Sequence, residues 1–212
     1  LGLTSDNTYN NNTFFFQSIK NKRPFIKVKM AISNDQKIAW SNYKSKWISN
    51  SKSRDYGHKL RFYSQSIMTT SRTIIKDNPH FTVRKKNKIL KYLTVIIIDR
   101  LLRTPIDSYL IKTLSKRRII IFTYKSGKKF NKLKSLGCEV YQIKTSNINK
   151  KFNLSLICKK LLLLNISDIL VESGGIFFTN LLSKKLVDQI HIFKAPFNIG
   201  NSGKPMIINK NF

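Results

Sequence analysis

Asp168-Ile-Leu-Val-Glu-Ser-Gly-Gly175, continuing as Ile176-Phe-Phe-Thr-Asn-Leu-Leu182, decides how the rest of the chain is read. Ile169, Leu170 and Val171 form a short apolar run of the kind found in a buried strand. The run stops at a lone glutamate, Glu172, then a serine, then two glycines, after which a helical pattern begins. Glycines at a helix start let the backbone approach a ligand, and the first helical N–H groups favour an anion. The competing reading is a plain strand-to-helix turn with no ligand. Glu172 favours the functional one, because open α/β sheets bind ligands at the carboxyl ends of their strands.

Outward from this stretch, apolar runs and helical segments alternate. Phe25–Ile32 reads as a strand of alternating apolar and basic residues, and Ser33-Asn-Asp-Gln36 as a turn. A helix is expected from Ser49 or Ser51 to about Gln65, with Tyr56, Leu60 and Tyr63 on one face. Ser66–Thr70 reads as a short strand, and Ser71–Pro79 as a short helix and a loop. Phe81–Arg84 reads as an extended piece, and Lys85–Lys91 as a basic loop. Leu93–Asp99, Arg118–Tyr124, Glu139–Ile143 and Gln189–Phe193 read as further strands. Helices are expected near Phe130–Leu136, over Leu154–Leu164, and from Gly175 to about Lys184. The β-branched runs fit a sheet covered on both faces, so the fold class is α/β with helices on both sides.

The chain has 212 residues, 41% of them hydrophobic with 14 Phe, which suits one domain with a sizeable core. Residues 1–22 read as a polar linker whose phenylalanines dock on the domain. Forty Lys+Arg against ten Asp+Glu leave a net charge of +30. Such an excess fits either a polyanion-binding surface or compositional drift toward Lys, Asn and Ile. The lysines are spread along the chain rather than gathered in a stripe, which fits drift, so no specific nucleic-acid partner is expected. Cys138 and Cys158 have no metal-ligand spacing and read as buried thiols in a reducing compartment. With no apolar run of membrane-spanning length and no signal-peptide core, a cytoplasmic location and no membrane partner are expected. The first residue is Leu, so a fragment or a processed product is expected.

With only ten acids, each one is a candidate for chemistry. Asp99 and Asp188 read as turn or cap residues, whereas Asp77 and Glu172 are the candidate functional carboxylates, able to hold substrate N–H groups or move a proton. The three histidines are scattered, without the spacing of a zinc deaminase. There is no P-loop and no G-x-G-x-x-G. Arg61 and Arg84 carry the planar fork that suits a phosphate.

Several stretches, in order, resemble the reductase domain of the bifunctional deaminase/reductase of riboflavin biosynthesis, which has a dihydrofolate-reductase-like fold. They are Arg23–Ser33, Ser45-Lys-Trp-Ile-Ser49, Leu60-Arg61, Thr73 through Asp77 to Arg84, Ile98-Asp99 with Arg103-Thr-Pro105, and Val171–Gly175. The resemblance covers the chain from about residue 14 to its end. It implies a three-layer αβα domain with a mostly parallel sheet. It also implies NADPH-dependent reduction of a phosphorylated aminouracil, with hydride passing from nicotinamide C4 to C1′ of the ribosylamino group. By position, Ala31, Trp47, Thr73, Asp77 and the segment Gly174, Gly175, Ile176, Phe177, Phe178, Thr179 and Asn180 resemble the NADPH contacts. Ser45, Arg61, Phe81, Arg84 and Glu172 resemble the substrate contacts, with Arg61, Arg84 and Ser45 on the phosphate. Lys29 and Asp77 resemble groups near the reacting carbon, and with Glu172 they are the candidate catalytic residues.

The sequence departs from that family at Gln36, where a glycine is usual, and in Asn42-Tyr-Lys-Ser45. A deaminase domain, fused upstream or separate, is the implied partner, and residues 23–212 are expected to be a reductase domain truncated at its C-terminus. A homo-oligomer is left open. The alternatives are a dihydrofolate reductase, a basic nucleic-acid-binding protein and an inactive remnant.

Overall fold

The computed structural model describes residues 13–42, 50–86, 88–144 and 152–208. In chain order the elements are α1 (Thr13–Lys20), β1 (Phe25–Ile32), β2 (Lys37–Ala39), α2 (Ser51–Phe62), β3 (Ser66–Thr70) and α3 (Ser71–Asp77). Next come β4 (Thr82–Lys85), β5 (Lys88–Tyr92), β6 (Thr94–Ile98), α4 (Tyr109–Lys112), β7 (Ile119–Thr123), α5 (Lys128–Ser135) and β8 (Glu139–Gln142). The last are α6 (Leu154–Leu163), β9 (Asp168–Val171), α7 (Gly175–Ser183), β10 (Gln189–Lys194) and β11 (Lys204–Pro205).

Seven strands form one sheet in the order β10-β1-β9-β3-β6-β7-β8, and every pairing in it is parallel. The side-chain period of two divides each strand between two cores. Ile96 and Ile98, Ile120 and Phe122, and Ile169 and Val171 pack on one face with Ile157 and Leu161 of α6 and Phe177, Phe178 and Leu181 of α7. Val95 and Ile97, and Ile119 and Ile121, pack on the other with Ile74 of α3, Leu110 of α4 and Leu133 of α5. Two covered faces make the three-layer αβα fold. Each fully buried Ile or Phe contributes roughly 1.5–3 kcal/mol relative to its exposed state.

The alternation in β1 reads like a one-sided strand, yet β1 lies inside the sheet between β10 and β9. The first basic residue on its second face, Lys27, is therefore neutralised in place. Lys27 is 3% exposed, and its Nζ lies 2.8 Å from Oδ1 of Asp168 on β9 and 4.4 Å from the Phe14 ring centroid. Phe14 also packs on Phe25 at 4.8 Å. Residues 13–20, expected as part of a linker, thus form α1; of the phenylalanines expected to dock, Phe14 does, while Phe15 and Phe16 are exposed. A second difference is Lys85–Lys91, expected as a loop. It contributes β5, which pairs antiparallel with β4. On α2 the cap is Asn50, whose side chain accepts from Ser53 N; Tyr56 and Tyr63 are exposed, Tyr56 with its ring 5.6 Å from that of Phe193.

Asp99 and Asp188 act structurally. The Asp99 carboxylate accepts from Arg103 N and from Thr104 N and Oγ1. Asp188 accepts both forks of Arg23 and the Ile26 N–H. Cys138 and Cys158 are free and buried, and burial pushes both thiols up to about 11. Among the described residues, no helix is long and apolar enough to cross a membrane.

Candidate active site

The carboxyl ends of β1, β9, β3 and β6 open into one cleft of about 1360 Å³, lined by Ala31, Thr70, Ile98 and Glu172 among others. A parallel sheet places all its strand ends of one polarity on one edge, so the cleft follows from the topology. The segment Glu172-Ser-Gly-Gly175 is the bend that carries the chain from β9 into α7 at its rim. Glu172 N donates to Met68 O of β3, and Thr69 Oγ1 donates to Glu172 O. These bonds hold the bend against the neighbouring strand.

Glu172 and Arg61 form a two-pronged ion pair, with Nε–Oε1 at 2.6 Å and Nη2–Oε2 at 2.9 Å. Both side chains are largely buried, 14% and 19% exposed. Burial alone would push the Glu172 carboxyl up. Arg61, helped by Lys29 and His58, outweighs it and holds the group below the usual carboxylate range. The same pairing raises the Arg61 pKa against the opposing effect of burial. Glu172 is therefore an anion at neutral pH, and two of the three Arg61 nitrogens point at it. The third, Nη1, donates to Thr82 O at 3.2 Å. Lys29 lines the cleft beside them, its Nζ 5.6 Å from the Phe193 ring.

Phe81 forms part of the wall next to this pair. Its ring lies 5.7 Å from the Arg61 guanidinium, and its backbone is left-handed, φ +44°, with Asn78 at φ +38° ahead of it. A bulky residue held there costs of order 1–3 kcal/mol and persists only where its surroundings enforce it. Thr73 and Asp77 line the cleft from α3, and the Thr73 hydroxyl lies 3.3 Å from that of Thr70. Asp77, at the rim, has its carboxyl pKa raised by partial desolvation, against the pull of Lys76.

The two glycines do different things. A Cβ on Gly175 would lie 2.6 Å from Met206 O and 2.7 Å from Pro205 O, so this glycine admits the chain that carries β11. A Cβ on Gly174 would meet nothing within 4 Å, and its φ of −80° suits any residue. Gly174 borders the cleft at the N-terminus of α7, where no side chain caps the helix. The Ser173 hydroxyl beside it is buried without a hydrogen-bond partner among the described residues. An uncapped helix start, an orphaned hydroxyl and an open glycine together fit an anionic ligand such as a diphosphate.

Ala31, Ile176, Phe177 and Asn180 also line the cleft. Phe178 and Thr179 do not. Helical periodicity turns them into the protein, where they are 1% and 2% exposed, and Thr179 Oγ1 accepts from Ile208 N at 3.0 Å. Arg84 is exposed and outside the lining; its Nε donates to Thr82 Oγ1, and its N–H donates to His58 Nδ1. Ser45 and Trp47 lie outside the described residues.

The sequence reading missed the wall beside α7, made by Lys204, Pro205 and Ile208. Asp35 anchors it. Its carboxylate accepts from Ser33 Oγ, Ile199 N and Gly200 N, which lowers its pKa to about 2. Arg117, buried behind Phe81, was also missed. Its position beside Arg118 gave no signal, since basic pairs recur throughout the chain.

Sheet topology and cleft define an open-sheet α/β domain that takes its ligands at the carboxyl edge of a parallel sheet. The chain belongs to the RibD C-terminal domain family, whose model matches residues 24–212. Riboflavin biosynthesis protein RibD of Aquifex aeolicus (strain VF5) is 35% identical over 200 residues, 94% of this chain and 54% of that protein. The 5-amino-6-(5-phosphoribosylamino)uracil reductase of Buchnera aphidicola subsp. Acyrthosiphon pisum (strain APS) is 31% identical over 176 residues, 78% of this chain and 82% of that protein. The chain spans about half the length of most curated relatives it matches. Among solved structures, Acinetobacter baumannii RibD, form 2, superposes with a TM-score of 0.82 at 23% identity, covering 98% of this chain and 55% of that one. The Saccharomyces cerevisiae riboflavin biosynthesis reductase Rib7 gives 0.67 at 18% identity, covering 91% and 85%. These likenesses bear out the expected fold.

Proposed function

We propose that this domain reduces 5-amino-6-(5-phosphoribosylamino)uracil to its ribitylamino counterpart with NADPH. A nicotinamide cofactor follows from the family's reductase character. The choice of NADPH over NADH is part of the proposal, as are a fused or separate deaminase partner and the linker role of the first residues. The observation that carries the reading is the cleft itself. It is large enough for two ligands, with an uncapped helix start at one wall and a buried carboxylate–guanidinium pair at another.

The residues divide the work by their chemistry. Gly174 and the first N–H groups of α7 would hold the cofactor's diphosphate, and Thr73 and Ala31 would line its path. When bound, the nicotinamide supplies the hydride. Glu172, kept ionised by Arg61, offers acceptor oxygens to the pyrimidine N–H groups, while Phe81 offers a flat apolar face. Arg84, exposed near this end, is suited to the substrate phosphate. Lys29, lining the cleft with Glu172, would donate hydrogen bonds to an anionic or electron-rich centre there. Asp77, with its raised pKa, is suited to hold a proton at the rim.

NADPH oxidation by the purified domain with the phosphoribosylaminouracil tests this, together with the NADPH-dependent rise in melting temperature. Turnover with a rise of several degrees is expected. Absence of both would overturn the reading.

A further inference from the structure

Arg117 is the least explained charge among the described residues. It is 8% exposed, and among those residues no carboxylate pairs with it. Among those residues its Nε and Nη2 find no acceptor, and the guanidinium lies 4.7 Å from the Tyr92 ring. Burying a guanidinium without a counter-ion is costly. Its hydrogen bond among those residues runs from Nη1 to Phe81 O, at 3.2 Å. The next carbonyl, Thr82 O, accepts from Arg61 Nη1, also at 3.2 Å. Two arginines, one from the interior and one from the cleft, thus grip consecutive carbonyls of the segment that holds the left-handed Phe81. Tyr109 N, donating to the left-handed Asn78 at 2.9 Å, fixes the approach to that segment.

We infer that Arg117 is a positioning residue for the substrate end of the cleft, holding the Phe81 backbone so that its ring stays against Arg61 and Glu172. The inference rests on the reading of that end as the substrate site. The guanidinium itself does not line the cleft, whereas its hydrogen-bond partner Phe81 does, so its effect passes through Phe81. The geometry explains why a left-handed phenylalanine is kept there: a ring aimed at the cleft needs a backbone that the aromatic residue does not choose alone.

The test uses Arg117→Met and Arg117→Lys in the full chain. It reads four quantities: KM for the phosphoribosylaminouracil, kcat, the NADPH dissociation constant, and hydrogen exchange by mass spectrometry. Arg117→Met is expected to raise KM at least roughly tenfold, the loss of one hydrogen bond from a charged donor. The kcat and the NADPH affinity should stay near wild type. Exchange should quicken in residues 80–84 and not in 175–183. Arg117→Lys, which keeps one donor, should recover part of the KM. If Arg117→Met does not fold, Tyr92→Leu removes the ring beneath the guanidinium and should give the same pattern more weakly. Unchanged exchange at 80–84, or KM and NADPH affinity worsening together with exchange quickened throughout, overturns the inference. If the wild-type chain turns over nothing, the activity reading fails by itself, and exchange at 80–84 still decides the role of Arg117.

Discussion

Arg61 on α2 and Glu172 after β9 meet fork to fork, 111 residues apart in sequence, at 2.6 and 2.9 Å inside the cleft. The sequence reading gave Arg61 to the substrate phosphate. In the structure its Nε and Nη2 face Glu172, and its charge is matched before any substrate arrives. This shifts the expected consequence of mutation from affinity alone to affinity and stability together. Removing one partner of a largely buried pair leaves the other unpaired, at about 3–5 kcal/mol. Glu172→Ala is therefore predicted to lower the melting temperature markedly as well as to abolish substrate binding. Glu172→Gln, which keeps one acceptor, should fold more stably and still bind substrate poorly. Thermal melts of the two variants check this, and a wild-type melting temperature for Glu172→Ala would show that the pair contributes nothing.

Gly174 and Gly175 are neighbours with opposite sensitivities. Gly174→Ala meets open space, so its melting temperature should stay within a degree or two of wild type while NADPH affinity falls. Gly175→Ala drives a methyl toward the carbonyls of Pro205 and Met206. It is expected to destabilise by about 1–3 kcal/mol, in the range of overpacking. Melting curves and NADPH titrations on both variants separate the two, and equal effects on stability would contradict the assignment.

The parts of the fold that were legible rest on local pattern. The β-branched runs at Val95–Ile98 and Ile119–Ile121 declare buried strands, because both of their faces are apolar. The hairpin of β4 and β5 was not legible, since Lys85–Lys91 is basic and lacks a turn dipeptide; cross-strand pairing forms it. Gln36 marked a departure from the family's glycine, and the structure shows the strain that departure implies, φ +60°. The cleft edge was legible from Glu172 and the glycines. The division of labour between the glycines was not, because it depends on Pro205 and Met206, thirty residues downstream. Phe178 and Thr179 were assigned as part of a continuous segment, whereas a helix presents only some of its residues to one side.

Asp35 ties the turn after β1 to the loop that leads into β11. Its carboxyl titrates at about 2, well under the ordinary 3.8, because the Ser33 hydroxyl and two backbone N–H groups favour the anion. A depressed folded-state value means that this contribution is fully present above about pH 4 and is lost as pH falls through 2. Asp35→Asn should therefore lower the melting temperature at neutral pH and reduce the loss of stability between pH 4 and 2. Melts of both proteins across that window measure it. Parallel curves would show that Asp35 does not hold the loop.

Lys27 and Asp168 are the other buried pair, set between β1 and β9 beneath Phe14 and away from the cleft-lining residues. Burial pushes the Asp168 carboxyl up despite the Lys27 ammonium, so the pair persists only as a pair. Lys27→Met leaves a buried carboxylate with the Gln65 N–H as its hydrogen-bond donor and the more distant charge of Lys91, and should cost about 3–5 kcal/mol. Replacing both, Lys27→Met with Asp168→Leu, removes the two desolvation penalties together and should restore most of that loss. Substrate and cofactor affinities should be untouched in the double variant, because neither residue lines the cleft. Chemical denaturation of the two single variants and the double variant forms a closed cycle. A coupling near zero would mean that the two charges act independently and that Phe14 and α1, rather than the ion pair, secure this end of β1.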